Sequence, residues 1–507
     1  MTRAVTSAVL DDDAAALWFA PRDDLVLERE VESADGCRVF GAAEGPVRQY
    51  RRTVTEEPAG DGKRRVTSVT EFRLDVPYAG WLFVLPVRAT LKRPPRRSQP
   101  WWAPPERLDA RAASILGVLA AAAVVSGYLG TLITQTITFA GDDLGATTSR
   151  EQGVALAAIR PGIFLALALL VLADRRGRRL VLVGCAGVGC ALAATGALAP
   201  SLAWLAASQL VARVCSTALG ELVFIVAAEE MPRGARAYAT SILGMAAAFG
   251  AGICVMALPL AEGTDGGWRL LYVLPLLAIP LCRDIARRLP ESRRFAVQHR
   301  NVPMRGHGGR LALLAASAFL LALFTTPASQ LQNEFLRDER GYSAIGITLF
   351  TILTNTPAGI GVVVGGRLAD VRGRRRIAAM AVTGGVTFAV LQFLIGGPGM
   401  WLFSLVGAII GGAALPALTV YGPELFPTSL RGRANGIIRL LAVVGAAVGL
   451  LVAGVLVEEL GGLGRALAVL AIGPAIVVVL ILTRYPETAH RELEELNPED
   501  PRLPATP

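Results

Sequence analysis

Runs of roughly 20 residues almost free of charge recur along the chain from Ala113 onward, each long enough to cross about 30 Å of hydrocarbon as a helix. About twelve such windows can be drawn. They run near Ala113–Phe139, Gln152–Ala173, Leu180–Leu198, Leu202–Ala228, Ala237–Leu260, Trp268–Cys282, Leu311–Leu331, Ile345–Ala369, Ile377–Ile395, Trp401–Tyr421, Gly436–Val457 and Arg465–Thr483. The 507 residues are 53% hydrophobic, with 54 glycines and a mean hydropathy of +0.49, too apolar for an ordinary soluble domain. The expected fold class is therefore an all-α membrane protein with twelve transmembrane helices.

A formal charge of +9 raises the question of nucleic acid, but the placement of the charge excludes it. Roughly 20 arginines follow the even-numbered windows and roughly 5 follow the odd-numbered ones, the positive-inside pattern. Both termini are expected in the cytoplasm, with the helices in the plasma membrane, the inner one of a bacterium. Arginine far outnumbers lysine, which points to a GC-rich genome. The opening stretch "DDDAAALWFAPRDD" is acidic and has no apolar core before a cleavage site, so it does not read as a secretory signal. Six scattered cysteines read as small buried packing, and the three histidines, His299, His307 and His490, all fall in cytoplasmic segments. No metal ligand set, cofactor motif or P-loop is found, and an enzyme is not expected.

The second half repeats the first at an offset of about 195 residues. Asp174, Gly177, Arg178 and Arg179 fall on Asp370, Gly373, Arg374 and Arg375; Glu229 and Arg236 fall on Glu424 and Arg431; Glu291 falls on Glu487. The chain thus divides into two six-helix halves. The expected segments are an N-terminal region at 1–100, an interfacial linker at 101–112, a first bundle at 113–283, a central loop at 284–310, a second bundle at 311–484 and a tail at 485–507. The stretches "GGRLADVRGRRR", "PESRRF" and "PETAHRELEEL" resemble the loop signatures of the major facilitator superfamily, most of all its sugar-porter and metabolite-symporter branch. The resemblance covers roughly Ala113 to Leu496 and implies a secondary transporter working by alternating access. It also implies that the doubled acids and arginines form a latch on the cytoplasmic side. Such pairs are expected to be water-exposed and worth about 0–1 kcal/mol each.

Ionisable groups within the windows mark the solute path, because each is costly in hydrocarbon. Arg160 in the second window, Arg213 in the fourth and Glu221 two turns nearer the cytoplasm are the candidates, while Arg439 is expected to snorkel to the surface. Arg160-Pro161 maps on Thr356-Pro357, so each half places a polar residue and a proline at one depth. Gln135, Gln330, Asn333, Glu334 and Asn355 add amide and carboxylate groups that can bind a polar solute, and Pro327 offers a bend in the seventh helix. Two mid-membrane arginines against one acid favour an anionic organic solute, with protons as a possible coupling ion. The sugar-porter glutamines of helices five and seven are missing, as is the proline of drug antiporters, yet sugar uptake and drug efflux stay open as alternatives. A transporter-like sensor signalling through the N-terminal region is another. The expected partners are a small-molecule solute and membrane lipid, and the expected state is a monomer.

The first hundred residues read as an antiparallel sheet. "LVLEREVE", "CRVFGAA", "VRQYRRTVTEE", "KRRVTSVTEFRLDV" and "WLFVLPVRATL" are the expected strands, separated by turns. "GWLFVLP" is too short to span, and is expected either as a buried strand or as a patch on the membrane or the carrier. "LKRPPRRSQPWWAPPER" reads as an interfacial anchor, with Trp101 and Trp102 at the headgroups.

Overall fold

The computed structural model describes residues 1–60, 63–145, 162–262, 266–296 and 302–500. The chain forms two compact units. One comprises Met1–Ala121 with Glu230–Ala235; the other comprises Ala122–Glu229 with Arg236–Pro507.

The first unit contains a five-stranded antiparallel sheet of order β1-β5-β4-β3-β2, built from β1 (Thr2–Leu10), β2 (Leu27–Ala34), β3 (Cys37–Glu44), β4 (Val47–Gly60) and β5 (Lys63–Leu74). Alternation in β5 turns Val66, Ser68, Thr70 and Phe72 inward. Helix α1 (Asp12–Trp18) starts where Asp11 accepts from the Ala14 N–H and buries Ala15 and Trp18 against Phe40, Val54 and Val66. Two charged pairs lie inside the unit. Glu28 accepts from Arg52 Nε at 2.8 Å and from the Tyr50 hydroxyl, while Arg22 pairs with Asp24 at 3.0 Å. Burial beside Glu28 holds the Tyr50 hydroxyl well above its usual pKa.

One expected strand is a helix. "WLFVLPVRATL" forms most of α2 (Gly80–Leu91), not a fifth sequential strand. Its β-branched and aromatic content suits a strand, but Phe83, Val87 and Leu91 fall at helical spacing onto the sheet core. Tertiary burial overrides propensity here. The edge position is instead taken by β1, whose small Thr, Ala and Ser residues show little hydrophobic alternation.

The rest of the described residues are mostly helical. Among the described residues ten helices are long and apolar enough to cross a membrane. The second expected window is described only from Gly162, as Gly162–Arg176. The sixth is a series of short pieces, Trp268–Val273, Leu274–Ala278 and Ile279–Arg288, where Pro275 and Pro280 interrupt the backbone ladder. These twelve segments are called spans 1 to 12. Span 1 is Ala110–Asp143, span 4 Leu202–Glu230, span 5 Arg236–Met256, span 7 Gly308–Gln330 and span 11 Arg431–Leu460. Span 8 breaks at Thr356-Pro357 into Ala344–Asn355 and Ala358–Arg372.

Each half has spans that cross with backbones in contact. A Cβ on Gly127 of span 1 would stand 1.9 Å from the Ala247 carbonyl oxygen of span 5, and one on Gly250 would stand 2.0 Å from that of Val124. Spans 7 and 11 repeat this at Gly445 with Phe319 and at Gly449 with Leu323. Small residues allow the close approach that dispersion forces require in lipid.

Candidate functional site

The doubled loop phrase builds two matching nests. After Asp174 and after Asp370 the chain turns at Gly177 and Gly373, with φ of +114° and +99°, which L side chains rarely adopt. A Cβ at either glycine would also lie 2.5 Å or 2.6 Å from a carboxylate oxygen, that of Glu291 or Glu487. Glu291 accepts from the N–H groups of Arg178 (2.9 Å) and Arg179 (3.2 Å), and Glu487 from those of Arg374 (2.9 Å) and Arg375 (3.2 Å). Each glutamate thus caps the first turn of the next helix, where unsatisfied N–H groups and the helix dipole favour an anion. The Arg179 and Arg375 side chains reach the carbonyls of Ala286 and Leu482.

One turn away the halves interlock. Arg178 pairs with Asp174 at 2.6 Å and Glu229 at 3.5 Å; Arg374 pairs with Asp370 at 3.2 Å and with Glu424. Each aspartate then crosses to the other half. Asp174 accepts from the Gly432 and Arg433 N–H groups at 3.0 and 2.8 Å, and Asp370 from those of Ala237 and Tyr238 at 3.1 and 2.8 Å. These donors are the first turns of spans 11 and 5. Their leading arginines complete the exchange, Arg431 with Glu229 at 3.0 Å and Arg236 with Glu424 at 3.2 Å. The structure therefore brings all fourteen doubled acids, glycines and arginines into one layer.

The expectation of water-exposed, weak pairs is corrected. Arg178, Arg374, Arg431, Asp370 and Glu424 are fully buried, and Asp174, Glu229 and Arg236 nearly so. Loop residues look exposed in sequence, but here two loops and two helix starts close over one another. Breaking a buried pair costs about 3–5 kcal/mol, because the orphaned charge has no water. The segment after Glu487 adds partners without a motif of their own. Asp500 pairs with Arg431 at 2.9 Å and accepts from the Thr428 N–H at 2.8 Å. Asn497 donates to the Glu424 carbonyl at 2.7 Å, and Glu494 pairs with Arg294 at 2.7 Å.

Away from this layer stands Glu221 of span 4. It faces Arg439 at 3.7 Å, so Arg439 reaches across to span 4. Glu221 and Arg439 stand eight residues beyond Glu229 and Arg431 on the same two antiparallel helices, about 12 Å further from the layer. The inner rung is buried, whereas the side chains of Arg439 and Glu221 are 55% and 23% exposed. Arg213 donates to the Gly130 carbonyl of span 1. Thr131, Thr134 and Thr136 bond carbonyls of their own helix, as short hydroxyl side chains on helices do. Gln135 is half-buried. Gln330 ends span 7, Asn333 and Glu334 follow it, and Asn355 stands at the break of span 8; all four are exposed. Arg160 lies outside the described residues.

The halves touch along the start of span 5. Gly366 of span 8 packs on Ala237 and Ser241, and a Cβ on Gly359 would stand 3.7 Å from the Met245 methyl. Beyond that point Phe249 and Met256 are exposed.

A family model described as Major Facilitator Superfamily matches residues 72–303 and 310–507. Among solved structures the chain is similar to the proton:xylose symporter XylE, with 17% identity, a TM-score of 0.65, and 77% of this chain and 99% of that one covered. It is also similar to the human organic anion transporter MFSD10, with 16% identity, a TM-score of 0.58 and coverage of 73% and 99%. The E. coli fucose:proton symporter FucP follows at 12% identity, with a TM-score of 0.62 and coverage of 73% and 98%. With the family model covering most of its length and the doubled loop nests in place, this chain belongs to the major facilitator superfamily and is a multi-pass membrane transporter, not an enzyme.

Proposed function

We propose that the chain carries a small organic anion across the plasma membrane by alternating access, with its arginine-rich loops and both termini in the cytoplasm. The buried acid–arginine layer is the inner gate, and the closed layer together with the exposed far end of span 5 is the arrangement of an outward-facing carrier. Opening to the cytoplasm must hydrate both pairs of crossed N–H···carboxylate contacts, so the gate needs differential binding energy from the solute.

The observation that carries the anion reading is the partly exposed Glu221–Arg439 pair above the buried Glu229–Arg431 pair. An entering carboxylate competes with Glu221 for Arg439, with Arg213 nearby on span 4. A proton taken up by Glu221 then removes the charge left unpaired, which couples solute to proton in symport. Gln135, Gln330, Asn333, Glu334 and Asn355 supply hydrogen bonds to the solute's polar groups, and Arg160 belongs to the same candidate set.

A thermal-shift screen of the purified protein against carboxylates, phosphates, neutral sugars and cationic drugs tests this. A ligand at about a hundredfold excess over its Kd stabilises by about 2.7 kcal/mol. Carboxylates should raise the Tm of the wild type and lose that effect in Arg439→Ala and Arg213→Ala. A second reading, a neutral sugar, is favoured by the exposed amides and by the xylose and fucose symporters among the similar structures. Sugar-induced shifts that survive both arginine variants would replace the anion reading.

A further inference from the structure

Helix α2 has two faces with different occupants. Phe83, Val87 and Leu91 turn onto the sheet core beside Leu25, Val26 and Phe72. The opposite stripe, Trp81, Leu85, Arg88 and Lys92, is exposed, and Trp81 and Leu85 are 72% and 73% accessible with Leu82 at 54% beside them. Three large apolar side chains on consecutive turns of a short helix mark an interaction surface, not a normal scatter.

Two contacts within this unit fix where the stripe lies. Pro77, just before α2, packs on Gly117 of span 1, where an added Cβ would stand 2.8 Å from the Pro77 Cδ. Gly117 is about 10 Å along the helix axis from Ala110, already inside the apolar run. At the other end, Arg22 donates to the carbonyls of Arg93 at 2.9 Å and Thr90 at 3.1 Å, pinning the C-terminus of α2 to the sheet. The apolar end of α2 therefore stands beside a membrane-crossing helix. Its other end and the following chain carry Arg88, Lys92, Arg93, Arg96 and Arg97, with no acid between Asp75 and Glu106.

We propose that this face of α2 docks on the anionic lipid surface of the adjoining leaflet, with Trp81, Leu82 and Leu85 among the headgroups and the five cations over the phosphates. Trp101, 78% exposed after the same basic run, joins them at the interface. An amphipathic segment with an aromatic end and a cationic end fits such a surface, and each cation multiplies the docked population by about fivefold.

The test is hydrogen exchange on the full chain in nanodiscs of phosphatidylcholine alone and of phosphatidylcholine with a quarter phosphatidylglycerol. Amides of residues 81–85 should exchange more slowly in the anionic discs. The difference should vanish in Leu85→Glu and shrink by about twenty-five-fold in docked population in the Lys92→Gln, Arg93→Gln double variant. Unchanged exchange in β4 and β5 reports that the unit stays folded in each variant. Equal exchange in both lipids for the wild type overturns the proposal, as does protection that tracks the number of chains per disc, since that assigns the face to a second copy.

Discussion

Replacing Asp370 by asparagine removes a fully buried negative charge that accepts from the Ala237 and Tyr238 N–H groups at 3.1 and 2.8 Å and pairs with Arg374 at 3.2 Å. Hydrogen bonds to a charged group are worth about 1.5–3 kcal/mol each, and the amide oxygen keeps one of them. Arg374 retains Glu424, so the full cost of about 3–5 kcal/mol for orphaning a buried charge does not apply. The expected loss is about 2–4 kcal/mol from the closed arrangement, or about thirty- to a thousandfold in the open-to-closed ratio. The assay uses a Ser241→Cys parent, because Ser241 is fully buried where span 5 meets Gly366, and follows labelling of that thiol by a membrane-impermeant maleimide added to the cytoplasmic side. The labelling rate should rise by that factor. A folded Asp370→Asn protein whose introduced thiol labels no faster than that of the parent would refute the claim that this carboxylate holds the halves together.

Asp174→Asn should raise the same labelling to a similar extent, since Asp174 makes the equivalent contacts with Gly432 and Arg433. Asp500→Asn should have a smaller effect, about 1–2 kcal/mol, because Arg431 keeps Glu229, and it is read in the same assay. Gly373→Ala should lower the Tm by the equivalent of about 1–3 kcal/mol, because φ of +99° is strained for alanine and its Cβ collides with the Glu487 carboxylate. Glu221→Gln should leave solute binding in place or strengthen it while making uptake independent of an imposed pH gradient, measured in proteoliposomes.

The spans, the repeat and the acid–arginine sets were legible because each rests on local pattern: apolar length, a fixed offset and paired charges. What was not legible depends on tertiary contact. Nothing in the sequence around Asp174 says that its carboxylate reaches the start of span 11, since that is set by how the halves close. Asp500 carries no motif and lies in a polar tail, so its pairing with Arg431 could be found only from the fold. The Glu221–Arg439 pair shows the same limit, because two residues about 220 apart in sequence meet only through the antiparallel run of spans 4 and 11. Helix α2 was misread because its apolar run satisfies strand composition, while its i, i+4 burial emerges only against the sheet. Strands β2 to β5 were legible from their β-branched and aromatic content between turns, with clear alternation in β5; β1, with only Ala4 buried, was not.

The most direct measurement is counterflow in proteoliposomes loaded with single carboxylates or single sugars, using wild-type protein, Arg213→Ala and Arg439→Ala. Exchange of a labelled carboxylate by the wild type, lost in both variants although each remains folded, is the result predicted for an anion carrier. Exchange of a neutral sugar, undiminished in both variants and with every carboxylate inert, would contradict it.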